Sequence, residues 1–211
     1  MIGVYGGTFD PVHYGHLRPA LEVYEAFALS ELRFIPCGQP PHRNSPQATG
    51  QQRQAMLEAA VAGLPGFRVD DREIRRGGMS YMVDTLRSLQ VDVPDKALCL
   101  ILGMDAFAAF HTWHTWREIP ELCNLLVMHR PEFDPEQVIV HAELKRLVAK
   151  SQVQDRSQLR NSRAGKLMFY PVTQLDISST AIRKAINERR DVRFLLPDAV
   201  ISLIDREGIY Q

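Results

Sequence analysis

Six short apolar runs, separated from one another by stretches of helical period, constrain this chain more than any other feature. The runs are IGVY (2–5), LRFIP (32–36), FRVDD (67–71), ALCLILG (97–103), NLLVMH (124–129) and KLMFYPV (166–172). Several are apolar throughout instead of alternating, the pattern of strands buried on both faces. Residues 17–29, 51–63, 82–90, 135–150, 178–189 and 197–208 carry apolar positions at helical spacing, and the last of these opens with Pro197 and closes with Gly208. Such alternation predicts an α/β fold, an open, mostly parallel sheet with helices on both faces and right-handed crossovers. Ligands of such sheets bind outside the carboxyl ends of the strands, where the strand order reverses.

The chain has 211 residues, enough for one sizeable domain over 1–211, with 178–211 as its C-terminal helical part. The polar stretch 150–166 reads as an exposed loop. Lys plus Arg and Asp plus Glu both number 25, so no net field draws in nucleic acid or a membrane surface, and neither is an expected partner. Any phosphate must be held by a local array of donors. Cys37, Cys99 and Cys123 are odd in number and form no CxxC pair, which predicts free thiols in a reducing compartment. No basic-then-apolar leader opens the sequence and no apolar run approaches bilayer length, so the expected location is the cytoplasm. The sequence leaves oligomeric state open.

The stretch GGTFDPVHYGHL (6–17) directly follows the first apolar run. Gly6 and Gly7 let the backbone approach a phosphate closely, with N–H groups turned toward it. Asp10-Pro11 sets a turn, and His13 and His16, three apart, lie on one face of a first helical turn. Both imidazoles can then reach one phosphate beside the positive end of a helix dipole. A tight turn with incidental histidines and a metal site are the competing readings, although no neighbouring carboxylate or third histidine completes a metal ligand set.

The whole string resembles the signature of the HxGH nucleotidylyltransferases. That resemblance implies a Rossmann-like fold binding ATP between the first loop and a late helix, with His13 and His16 as the phosphate-binding pair. Gly6, Gly7, Thr8 and Phe9 are the ATP-binding loop residues it implies. Late in the chain, DISSTAIRKAI (176–186) places hydroxyls just before a helical run, where they cap it, and Arg183 adds a fork of donors one turn in. This stretch is similar to the family's second signature, which implies that Ser178, Ser179 and Arg183 hold the triphosphate. His13, His16 and Arg183 are the implied catalytic set.

Three middle stretches resemble the bacterial nicotinate-mononucleotide adenylyltransferases. PCGQPPHR (36–43) offers His42 and Arg43 to an acceptor phosphate, with Arg43 standing where the family usually has Lys. REIRRGGMSYMVDTL (72–86) reads as a strand leaving the sheet, a Gly–Gly turn and a helix capped near Ser80. There the N–H groups of Tyr81 to Thr85 meet an aromatic carboxylate, and Met82 replaces the family's common Thr. LGMDAFAAFHTWHTW (102–116) implies Asp105 and Trp113 against the acceptor nucleotide, with Trp116, His111 and His114 left as packing or surface residues. Arg130 matches a family arginine near the nucleotide. The resemblance implies ATP and nicotinate mononucleotide as partners and Mg²⁺, bound mainly through ATP, as cofactor; the alternatives are the same chemistry on nicotinamide mononucleotide or another phosphate acceptor, and a nucleotide-binding module without catalysis.

Overall fold

The computed structural model describes residues 1–40, 45–130 and 139–211. All six apolar runs are strands: β1 (Ile2–Gly7), β2 (Glu31–Pro36), β3 (Phe67–Val69), β4 (Leu98–Gly103), β5 (Asn124–His129) and β6 (Leu167–Pro171). They form one sheet in the order β3-β2-β1-β4-β5-β6. Every pairing is parallel, with Gly7 opposite Pro36 and Gly3 opposite Cys99. The order reverses between β1 and β4, which puts the switch point beside Gly7 and Gly103.

Strand alternation splits each central run between two cores. In β5, Leu125 and Val127 face one cluster while Leu126 and Met128 face the other; in β4, Leu98, Leu100 and Leu102 are parted in the same way from Cys99 and Ile101. One face is covered by α1 (Tyr14–Ala26) and α2 (Gly50–Val61), through Ala20, Val23, Met56 and Leu57. Two late helices, α9 (Ser179–Asn187) and α10 (Asp198–Glu207), bury Ile182, Val200 and Ile204 in the same cluster. The other face takes α4 (Met82–Asp92), α5 (Met104–Ala108) and α6 (Ile119–Leu122), through Leu86, Phe107 and Ile119, and also α7 (Ala142–Ser151), through Leu144. Pro197 caps the start of α10 and Gly208 ends it in the left-handed region at φ 61°, as the sequence predicts.

Local expectations change at several points. Residues 72–76 form a short helix, α3 (Arg72–Arg76), in place of a departing strand. The Asp70 carboxylate accepts from the Arg72 N–H and guanidinium and turns the chain out of β3. The helix that follows starts at Met82, where the spacing predicts it, with Tyr81 and not its neighbour Ser80 as the N-cap. Ser80 is taken elsewhere, because its hydroxyl accepts from the Gly38 N–H at 2.8 Å. In the helix expected over 135–150, residues 139–141 are not helical, α7 starts at Ala142, and 135–138 lie outside the described residues. The expected loop 150–166 contains α8 (Arg156–Arg160), capped by Asp155 and anchored by the fully buried Leu159.

Asn124 opens β5 with no exposure, and its amide satisfies three backbone groups. It donates to the Leu159 and Ser162 carbonyls and accepts from the Lys166 N–H at 3.0 Å. Replacing Asn124 with Ala strands these groups at the end of the sheet remote from the switch point. Urea unfolding should show a loss of about 1–3 kcal/mol.

Candidate active site

A cleft of about 430 Å³ opens at the switch point. Gly6, Gly7 and Thr8 form one side of it, Tyr81 and Met82 another, and Asp105, Trp113 and His114 stand along its rim. The paired glycines answer to packing as well as to any ligand. A Cβ on Gly6 would sit 2.4 Å from the Met82 methyl, and one on Gly7 would sit 2.8 Å from the Phe9 ring. A second depression of about 530 Å³ lies around His111, Trp116 and His141, but no strand end lines it.

Beyond Thr8 the chain turns away from the cleft. Phe9 is left-handed at φ 51° and 2% exposed, so its ring belongs to the core beneath the loop, edge-on to His16 at 5.2 Å. The Asp10–Pro11 peptide is cis. His13 is the extended N-cap of α1, and its N–H donates to His16 Nδ1 at 3.4 Å. The two rings stack with centroids 3.8 Å apart. Because Nδ1 of His16 accepts, the neutral His16 ring carries its proton on Nε2. His13 is 4% exposed, and burial pushes its pKa down to about 4. It is therefore a neutral imidazole at physiological pH, and its buried Nδ1 has no partner among the described residues.

The late motif closes on this loop. Ser178 caps α9 by accepting from the Ala181 N–H at 3.2 Å, and the Ser179 hydroxyl donates to the Pro11 carbonyl at 3.0 Å. Arg183 Nη1 donates to the Asp10 carbonyl at 2.7 Å, and Nη2 donates to the Thr180 hydroxyl. Its Nε is buried with no partner among the described residues. The two motifs thus meet through the carbonyls of Asp10 and Pro11. None of His13, His16, Ser178, Ser179 and Arg183 lines the cleft. They gather around the continuation of the first loop, at Asp10, Pro11 and the start of α1.

On the cleft side, Tyr81 lies over His114 with ring centroids 4.3 Å apart. His114 is exposed and packs on this ring, in keeping with the surface or packing residue the sequence suggests, and it also lines the cleft. Trp113 is half-buried against Phe110, and Trp116 is 8% exposed in the core. Asp105 is exposed in the first turn of α5, directly after β4. Thr85 is not on the cleft surface. It is fully buried, its hydroxyl donates to Glu73 at 2.6 Å, and its N–H is taken by the Tyr81 carbonyl. Burial pushes the Glu73 carboxyl up from its ordinary value. Arg130 is exposed after β5 and bonds Gln174, outside the cleft lining. His42 and Arg43 lie outside the described residues.

Two residues that sequence reading passes over organise the loops. The Asp10 carboxylate, 4% exposed, accepts from the Gln47 and Ala48 N–H groups and from the Tyr210 hydroxyl at 2.7 Å. Arg53 is 1% exposed and donates to the carbonyls of Thr8 and Cys37. Its spacing to Met56 and Leu57 put it on the buried face of α2, a signal available in the sequence.

Residues 4–185 match the model of the cytidylyltransferase-like family. The chain belongs to that family. It is 53% identical over 211 residues to a protein of Methylococcus capsulatus described as a probable nicotinate-nucleotide adenylyltransferase, covering 100% of this chain and 99% of that one. A protein of Pseudomonas syringae pv. tomato with the same description is 45% identical, with 100% and 93% covered. In fold, the chain is similar to the Plasmodium falciparum nicotinic acid mononucleotide adenylyltransferase complexed with NaAD. The TM-score is 0.73 at 16% identity, covering 99% of this chain and 96% of that one. The family match covers both the first loop and the start of α9, so the two motifs that meet at Asp10 and Pro11 fall within it.

The buried His13 has a measurable consequence. Its folded pKa lies below the unfolded value of 6.5, so the unfolded chain takes up a proton first as pH falls. The stability it contributes is present above pH 6.5 and is lost between pH 6.5 and about 4, a change of about 3 kcal/mol. Proton NMR should place the His13 titration near 4, and His13→Gln should flatten the unfolding free energy across this window.

Proposed function

We propose that this chain transfers the adenylyl group of ATP to nicotinate mononucleotide, giving nicotinate adenine dinucleotide and pyrophosphate, a step of NAD biosynthesis. The observation that carries this reading is the meeting of the first loop with the start of α9 beside a cleft at the switch point. The names of the relatives and the NaAD complex of the Plasmodium falciparum enzyme support the same acceptor.

A phosphate oxygen of the mononucleotide attacks the α-phosphorus of ATP. The bond from that phosphorus to the bridging oxygen breaks, and pyrophosphate leaves with the electron pair. The attacking oxygen is already anionic at neutral pH, so the protein need supply no nucleophile, only alignment and stabilisation of charge. His16 donates from Nε2 and is oriented by the stacked, neutral His13. Arg183 brings its buried, unpartnered Nε and a fork that can turn from Thr180 to the triphosphate. Ser178 and Ser179 open α9 toward the same phosphates, and the backbone N–H groups of Gly6, Gly7, Thr8 and Phe9 face the α-phosphate where it meets the acceptor.

In the cleft, Trp113 offers a face to the pyridine ring, the first N–H groups of α4 after Tyr81 meet its carboxylate, and Asp105 accepts from hydroxyl donors at the rim. Thr85 acts through Glu73, behind this surface. His42, Arg43 and Arg130 are assigned to the acceptor phosphate. Among the described residues no group of three or more His, Cys, Asp or Glu side chains could hold a metal ion. We assign Mg²⁺ to the ATP rather than to a protein ligand set; when bound there it would neutralise phosphate charge.

The three free cysteines suit a reducing compartment, and no helix among the described residues is long and apolar enough to cross a membrane. We place the protein in the cytoplasm and treat 1–211 as one nucleotidyltransferase domain, in which 178–211 is the C-terminal helical part.

Pyrophosphate release is the deciding assay. ATP with nicotinate mononucleotide should give rapid release, and release with neither the acid nor the amide mononucleotide would overturn the reading. His16→Ala should lower kcat by roughly a hundredfold, the scale of losing one preorganised donor.

A further inference from the structure

Arg53 carries a charge into the interior with no ion-pair partner among the described residues. Its Nε donates to the Ala48 carbonyl at 3.3 Å, Nη1 to the Thr8 carbonyl at 2.8 Å and to Cys37 Sγ at 3.7 Å, and Nη2 to the carbonyls of Cys37 at 2.6 Å and Gly38 at 3.2 Å. A guanidinium has five N–H donors, and all five are met. Among the described residues none of the partners is a carboxylate. Burying a cation this way is costly unless every donor is satisfied, and here the satisfaction comes from the two backbone segments that leave the switch point.

The location explains the arrangement. The β1–β2 ladder ends with Gly7 opposite Pro36, and the last bond runs from the Cys37 N–H to the Gly7 carbonyl at 2.9 Å. Past that bond the strands part to make room for the cleft, and the carbonyls of Thr8, Cys37 and Gly38 lose their strand partners. Arg53 takes their place. In a trans peptide the C=O and N–H point in opposite directions. With the Thr8 carbonyl held inward, the Phe9 N–H faces away from the guanidinium, on the side where Thr8 lines the cleft. The Cys37–Gly38 peptide is held at both ends, its carbonyl by Arg53 and its N–H by the Ser80 hydroxyl at 2.8 Å. Ser80 in turn donates its N–H to the Gln39 carbonyl, just before the Tyr81 cap of α4.

We propose that Arg53 is a positioning residue for adenylyl transfer. It clasps the exits of β1 and β2 so that the Phe9 N–H is presented to the nucleotide phosphates and the two walls of the cleft keep one separation. The assignment rests on the reaction proposed above, and its tests are separable from that reaction.

In the wild-type protein, NMR should show the Arg53 Nη protons as resolved, slowly exchanging signals. Averaged signals in fast exchange with water would overturn the clasp, whether or not the protein turns over. Arg53→Lys keeps the charge but offers three donors from a single point to acceptors spread over five positions. It should lower kcat at least about tenfold while KM for ATP stays within about threefold, the pattern of lost alignment. Amide exchange at Phe9 and Gly38 should accelerate while that of β4 does not. A folded Arg53→Lys protein with wild-type kcat and unchanged exchange at Phe9 and Gly38 would overturn the proposal. So would a loss of activity matched by equal opening of β4, which is the mark of a merely structural role. If the lysine variant does not fold, the wild-type Nη signals decide. A wild-type protein that makes no dinucleotide refutes the reaction and leaves the clasp to those same signals.

Discussion

The buried carboxylate of Asp10 is the interaction on which the site depends. A charge with 4% exposure is tolerable only among donors, and Asp10 gathers them from three distant parts of the chain. The Gln47 and Ala48 N–H groups come from the approach to α2 and the Tyr210 hydroxyl from beyond α10. Arg183, in α9, binds the Asp10 carbonyl and lies 3.7 Å from its carboxylate. Burial and the neighbouring Asp10 raise the Tyr210 phenol well above its ordinary value, which keeps it a proton donor. The first loop is thereby held from below by the very segments that bring α9 to it.

The site that results uses little net charge. His13 is neutral, the glycines contribute backbone, and Arg53 spends its charge on carbonyls behind the loop. Arg183 reaches the histidine-bearing turn through Asp10. With 25 basic and 25 acidic residues overall, the chain relies on the direction of its donors more than on a broad field. Preorganisation of that kind demands that each peptide point one way, which is why the loops carry so many side chain-to-backbone bonds.

The strands were legible because burial on both faces of β4 and β5 forces continuous apolar runs, and a run of that kind has few other uses in a soluble chain. The motif residues were legible for a chemical reason: glycines, imidazoles and hydroxyls at helix starts signal anion binding locally. What could not be read were bonds between residues remote in sequence. Nothing near Ser80 reveals that its hydroxyl is owed to Gly38, which leaves the N-cap of α4 to Tyr81. Thr85 looks like a helix-start residue until its hydroxyl is seen to serve a buried Glu73. That the exposed His114 packs on Tyr81, at the start of α4, is equally invisible in the residues around it.

The stacking of His13 on His16 has an evolutionary corollary. Ring contact and the bond from the His13 N–H make the pair one mechanical unit, so the effect of altering one imidazole depends on whether the other is still there. Such coupling narrows the single-step routes open to the sequence: once either ring is lost, its neighbour has less to hold it in place and less to offer a ligand.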